Sequence, residues 1–183
     1  AETFGTPHYY TLLGTLLLFH AIGLDYTLSA YASEGGNFGL FTSHEMMKRL
    51  NAKIYAEARR LGVKWILGGE CGHMWRVVHQ YMDTMNGPAD FLEEPVSPVT
   101  GTRFPYARST KMVHICEFTA DLIHHGRLRL DPRRNDHWVA TFHDSCNPAR
   151  SMGLIEEPRV ILRSVCRRFH EMPENTIKER TFC

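Results

Sequence analysis

Leu61-Gly62-Val63-Lys64-Trp65-Ile66-Leu67-Gly68-Gly69-Glu70-Cys71-Gly72-His73 is the stretch on which the fold turns. Gly62 has the place of a helix C-cap, and Val63–Leu67 has the apolar content of a short buried strand. The glycines behind it make a corner that carries Cys71. Upstream, Ser43 is suited to an N-cap, and Met46, Met47, Leu50, Ile54, Ala58 and Leu61 recur at helical spacing. Downstream, a helix is expected over Met74–Met82. Helix, strand and a glycine-rich corner in that order suggest an α/β unit with its ligand site at the carboxyl end of a strand.

The logic repeats further along. Residues 86–105 are rich in Gly and Pro and read as a long loop, of the kind that carries function or a partner contact. Ile115–His124 has Ile115, Phe118, Leu122 and Ile123 on one side of a helix that Gly126 ends. Trp138–Phe142 reads as a strand, and His143-Asp144-Ser145-Cys146-Asn147-Pro148 follows it as a second corner. A helix is expected from about Pro158 to Phe169, then a last strand leading into Cys183. The expected fold is α/β, with two similar βα lobes, parallel strands and a site in the cleft between strand ends.

Composition excludes several classes. With 183 residues, the chain can bury a core amounting to roughly 70% of its unfolded surface. A net charge of +1 gives no electrostatic case for nucleic acid, and Arg59-Arg60, Arg133-Arg134 and Arg167-Arg168 read as solvated faces or partner contacts. The most apolar stretch, Tyr9–Leu24, is interrupted by His20 and two glycines and falls short of the ~20 residues of a bilayer span, so a buried helix is expected. Five cysteines without close pairing do not resemble a secreted disulfide framework, which points to a reducing cytoplasmic setting. Residue 1 is Ala and Arg180-Thr-Phe-Cys183 stops without a tail, so the chain is expected to continue at both ends. The sequence has no Gly-x-Gly-x-x-Gly, Walker, Cys-x-x-Cys or Gly-x-Ser-x-Gly motif.

The cysteines differ by position. Thiolates are the standard ligands of iron–sulfur clusters, and strand-end corners are where such ligands converge. Cys146, between Asp144 and Pro148, has backbone N–H groups that can face an anionic cofactor, although a cysteine can also simply fill a tight turn. Cys71 has glycine beside it, which permits close approach to a ligand. Cys183 is the third candidate. Cys166 and Cys116 lie on expected helices beside apolar residues and read as buried hydrophobes. His143, His73 and Glu70 flank the corners as acid–base candidates or as satisfied polar residues.

These residues resemble a known family. A cysteine in a His-Asp-x-Cys corner, 36 residues, and then Phe-Cys183 is similar to the cysteine-rich CCG domain of heterodisulfide-reductase-like iron–sulfur subunits. Gly23–Ser29, Asn37–Phe41, Glu57–Gly62, Gly69–His73 and His143–Asn147 resemble most the K-subunit family of the DsrMKJOP complex of sulfur metabolism. The Hmc and Tmc complexes hold close relatives. The resemblance divides the chain into 1–105, a degenerate first CCG-like lobe plus loop, and 106–183, a second lobe incomplete at its C-terminus. Ser33-Glu34-Gly35 stands where Cys-Cys-Gly would, and Met74 where the last cysteine of the first half would.

The resemblance implies a noncubane [4Fe–4S] cluster held by Cys146 and Cys183, helped by Cys71. It implies electron transfer to or from a disulfide or trisulfide on a DsrC-type carrier protein. It also implies a cytochrome b-type membrane partner, with this subunit peripheral on the inner face of the membrane. Another CCG-type system, such as one oxidising glycolate or glycerol phosphate, and a non-catalytic scaffold subunit are the alternatives.

Overall fold

In the computed structural model, residues 9–29, 41–69, 71–104, 107, 110–173 and 177–180 are described. The chain forms two compact units, 1–114 and 115–183. The fold is α/β: mostly helices, with one small parallel sheet.

In the first unit, α1 spans Tyr9–Ala21 and α2 spans His44–Leu61. Ser43 is extended, and its hydroxyl accepts the Met46 N–H at 3.2 Å, satisfying one of the free donors of the first turn. Gly62 adopts φ +63°, so its N–H and that of Val63 turn back to the carbonyls of Arg59 and Ala58. Both ends of α2 are therefore as expected. Its Met47, Ile54, Tyr55 and Ala58 are buried.

The strand after α2 starts later than expected: β1 is Ile66–Gly68. Its partner is β2, Met112–His114, fully buried and parallel in register Ile66↔Met112, Leu67↔Val113, Gly68↔His114. Between them lie α3, Gly72–Gln80, and α4, Met82–Asn86, where one helix over Met74–Met82 was expected. The crossover is of the kind that parallel pairing demands. Trp75, Val77, Val78 and Met82 bring its buried face into the core.

The long loop after α4 is held in place. Phe91 lies edge-on to Tyr55 and under the Arg59 guanidinium, 3.8 Å from ring centre to Cζ. Glu93 N–H bonds the Lys64 carbonyl at 2.8 Å, and Val96 bridges Arg103.

Helix α1 corrects the expectation of a buried helix: only Phe19 is buried, against Tyr26 at 4.8 Å between ring centres, while Tyr10 and Leu17 are exposed. A mostly apolar run with few polar positions has no broad polar face to orient it, so periodicity could not indicate which side is covered.

In the second unit, α5 spans Ile115–His124, as expected, and Gly126 closes it at φ +62°. It packs against α6, Glu156–Val165, burying Phe118 and Leu122. Two expectations fail here. Trp138–Phe142 is not a strand; it makes one parallel bridge, Ala140 to Phe169, and Trp138 and Val139 are exposed. A strand needs a ladder partner, and only the short segment after α6 reaches this one. Correspondingly, α6 stops at Val165, not Phe169. The Asn135 amide takes the Val165 carbonyl at 2.7 Å, and Cys166 turns extended. Cys166 is thus a half-buried residue beyond the helix end, not a helix-face hydrophobe. Lys178–Arg180 is a 3₁₀ turn; the strand expected to lead into Cys183, and Cys183 itself, fall on residues 181–183, outside the described residues.

Candidate functional site

The two cysteine corners belong to different units. In the first, β1 ends at Gly68, and Gly69 has φ +124°, a conformation open to glycine. Glycine is also required by space. A Cβ at Gly69 would lie 2.5 Å from Nε2 of His114, the residue paired with Gly68 across the sheet. Cys71 follows, half-buried, as the N-cap of α3, and its side chain makes no capping bond to the helix's first turn. Glu70 lies outside the described residues. His73, partly buried in the first turn of α3, meets the Phe41 ring edge-on at 5.8 Å.

Beneath this corner is an aromatic cluster that the sequence did not single out. Trp75 contacts His79 at 4.0 Å and His114 at 4.8 Å between ring centres, and all three are buried. Burial, then the neighbouring His79, pushes the His114 imidazole down to about 4, against a hydrogen bond to the Gly69 backbone that favours its charged form. His114 is therefore neutral near pH 7 and serves as a polar wedge under the glycine corner. The only sequence signal for it was the Gly68-Gly69 pair, whose partner could not be named.

In the second unit, Cys146 opens a π-helical turn, Cys146–Ser151, with Asn147 and Ala149 buried and Cys146 half-buried. Such single turns are frequent at functional sites. The turn is anchored through Asp144. Asp144 is 1% exposed as a whole residue, and its carboxylate accepts two guanidinium bonds from Arg159 at 2.8 and 2.6 Å, and the Lys178 N–H at 2.7 Å. Burial opposes the charge on Asp144. Even so, the Arg159 and Lys178 bonds, with the charges of Arg159 and His143, hold its carboxyl below the usual range. Arg159, also 1% exposed, further bonds Glu171 at 2.9 Å and the Ile155 carbonyl at 2.7 Å. The bonds to Asp144 raise its already high pKa, burial opposes, and Glu171 adds to the rise. His143 is exposed beside this network.

The network has a geometrical consequence. Asp144 stands two residues before Cys146, and Lys178 five before Cys183. The Asp144–Lys178 bond and the packing of the Cys146 turn on the Lys178–Arg180 turn join the two segments. Sequence reading quoted Asp144 within its motif but missed Arg159 and Glu171; an arginine among Pro158, Val160 and Ile161 was the available sign. Cys116 is of a different kind: burial, then Glu157 and Glu117, pushes its thiol up to about 12, so it stays protonated.

A [4Fe–4S] cluster takes four thiolates. Among the described residues no three His, Cys, Asp or Glu side chains converge as a metal site. Cys71 and Cys146 are single, accessible thiols at built corners, and they do not complete a donor set.

No family model matches the chain, and no solved structure matches it. Over its whole length it is 52% identical, across 200 aligned positions, to the Hdr-like menaquinol oxidoreductase iron-sulfur subunit 2 of Archaeoglobus fulgidus. It is 50% identical to the Hdr-like menaquinol oxidoreductase iron-sulfur subunit of Archaeoglobus profundus. The chain spans 36% of the length of each. These are homologues, and the chain is similar to a segment of each.

Proposed function

We propose that this chain is the part of an iron–sulfur subunit that carries the thiol-handling site of a membrane-associated, menaquinol-linked redox complex. The observation that carries this reading is the identity of about half of all positions, over the whole chain, with subunits of that description. Cys146 and Cys183 of the second CCG-like lobe would hold the cluster, and Cys71 is the candidate ligand of the first lobe. The relatives extend well beyond the matched segment, so the remaining ligands can come from outside it.

The cluster, a [4Fe–4S] of the noncubane type, would supply one-electron transfer when bound. The protein's own part is better defined. The Asp144–Arg159 pair fixes the corner that holds Cys146, and Asp144 also ties that corner to the Lys178–Arg180 turn. Exposed His143 can deliver or accept a proton at a substrate sulfur, with His73 and Glu70 as candidates at the other corner. The overall reaction balances as menaquinol losing two electrons and two protons in a separate cytochrome b-type membrane subunit. A disulfide gains the same and becomes two thiols. A disulfide or trisulfide on a DsrC-type carrier is the proposed acceptor, and the subunit would lie peripherally on the inner face of the membrane. No helix among the described residues is long and apolar enough to cross a membrane.

The test is iron and acid-labile sulfide content, with low-temperature EPR, on the full-length subunit and its Cys146→Ser variant. Loss of one cluster signal in the variant supports the reading. Retention of every signal makes Cys146 structural, and a subunit free of iron is the scaffold protein that forms the alternative.

A further inference from the structure

The second unit carries a surface that the thiol corners do not use. Residues 127–140 and 166–170 contain six arginines against two aspartates. The fold brings the segments together: Ala140 N–H bonds the Arg168 carbonyl at 3.0 Å, and His170 N–H bonds the Ala140 carbonyl at 2.9 Å. Both aspartates are already engaged, Asp131 with Arg133 at 2.8 Å and Asp136 with Arg167 at 3.2 Å. Arg127, Arg129, Arg134 and Arg168 are exposed and make no ion pair among the described residues. The same segment carries Trp138, 61% exposed, and Val139, 57% exposed.

An exposed tryptophan next to an apolar neighbour keeps a large amphipathic ring in water, which marks contact surfaces. Tryptophan settles at the headgroup level of a bilayer, and arginine keeps its charge at the phosphates while its stem covers apolar surface. The positive excess complements an anionic leaflet.

We propose that this basic–aromatic face docks on an anionic phospholipid surface, with Trp138 and Val139 at the headgroup boundary and the four exposed arginines on lipid phosphates. The choice of lipid over an acidic protein rests on reading the chain as part of a membrane-complex subunit; the location of the face does not. It sets the second unit directly on the bilayer by a contact that needs no spanning helix.

The experiment is co-flotation of the purified chain with vesicles of phosphatidylcholine alone and of phosphatidylcholine with phosphatidylglycerol. Binding to the anionic vesicles only, weakened by salt, is expected. Each arginine near such a surface contributes about fivefold, so Arg134→Glu with Arg168→Glu lowers partitioning by at least about 25-fold. Both side chains are exposed, and far-UV circular dichroism checks that the variant folds. Brominated lipid quenches the tryptophan emission of the wild type more than that of Trp138→Phe. Two results overturn the proposal: absence of binding to anionic vesicles, which hands the face to an acidic protein or to solvent, or binding that survives the double reversal. Iron content separates the two readings. A full-length subunit with its cluster whose chain ignores vesicles sinks the lipid face alone. Vesicle binding by a chain whose full-length subunit holds no iron sinks the cluster reading alone.

Discussion

Replacing Arg159 with methionine removes the cation at the centre of the second unit and leaves Asp144 as a buried carboxylate. The size of the loss follows from the geometry. The Arg159 and Asp144 side chains are 1% and 0% exposed, so their two bonds at 2.8 and 2.6 Å are made out of water. Breaking a buried pair by removing one partner costs about 3–5 kcal/mol. The bonds to Glu171 add less, since that carboxylate is 29% exposed and solvent screens it. A total of about 4 kcal/mol corresponds to roughly thousand-fold faster exchange of the slowest amides in α5 and α6. Hydrogen exchange resolved by peptide reads this directly, with amides of α2 and α3 as the internal reference.

The pH dependence sharpens the test. Asp144 has a depressed folded pKa, so its contribution is present above the unfolded value of about 3.9 and is lost as pH falls through the folded value. In Arg159→Met the depression is gone, and the gap between wild type and variant closes below about pH 4. Adding Asp144→Asn to the variant recovers much of the loss at neutral pH. A loss under about 1 kcal/mol at neutral pH, or a gap that persists unchanged in acid, would refute the account of this pair as a desolvated anchor.

Three further outcomes are expected. Gly69→Ala forces its Cβ onto the His114 ring and strains a φ of +124°, so it lowers stability by about 2–3 kcal/mol, measured by thermal melting, and changes the alkylation rate of Cys71. His114 is held neutral with a pKa of about 4, so it costs stability as pH falls from the unfolded value near 6.5 toward 4, by roughly 3 kcal/mol. His114→Gln removes that segment of the stability–pH curve, and an NMR titration in which the His114 ring protonates near 6.5 would contradict it. Cys116, with its thiol pushed up to about 12, is labelled by iodoacetamide more slowly than Cys146 at mildly alkaline pH, as mass spectrometry of tryptic peptides would show.

The elements that local chemistry specifies were legible. Ser43 and Gly62 bound α2 because an N-cap hydroxyl and a left-handed glycine act within one turn of chain. The helix Ile115–His124 and its Gly126 stop follow from the same short-range rules. The glycine beside Cys71 indicated a tight corner, and a tight corner is there. Elements that depend on a distant partner were misread or missed. Trp138–Phe142 has strand composition but only one bridging partner. Met112–His114 is three residues long, too short to carry a period, and becomes a strand only because Ile66–Gly68 lies beside it. The end of α6 was placed too late because the Asn135 amide that caps Val165 comes from 30 residues away.

The sequence by itself determined the helices with their caps, the α/β class, the two cysteine-bearing corners and a resemblance to iron–sulfur subunits. Each of these depends on residue types at short separations, or on an order of residues that evolution keeps together. The tertiary structure alone decided that Gly69 must be glycine because His114 lies against it, and that Arg159, Asp144 and Glu171 form one buried network. It also decided that Trp138 and Val139 are exposed. The physical reason is common to all three. Burial, desolvation and ion pairing are properties of the space around a side chain, and residues far apart in the chain fill that space.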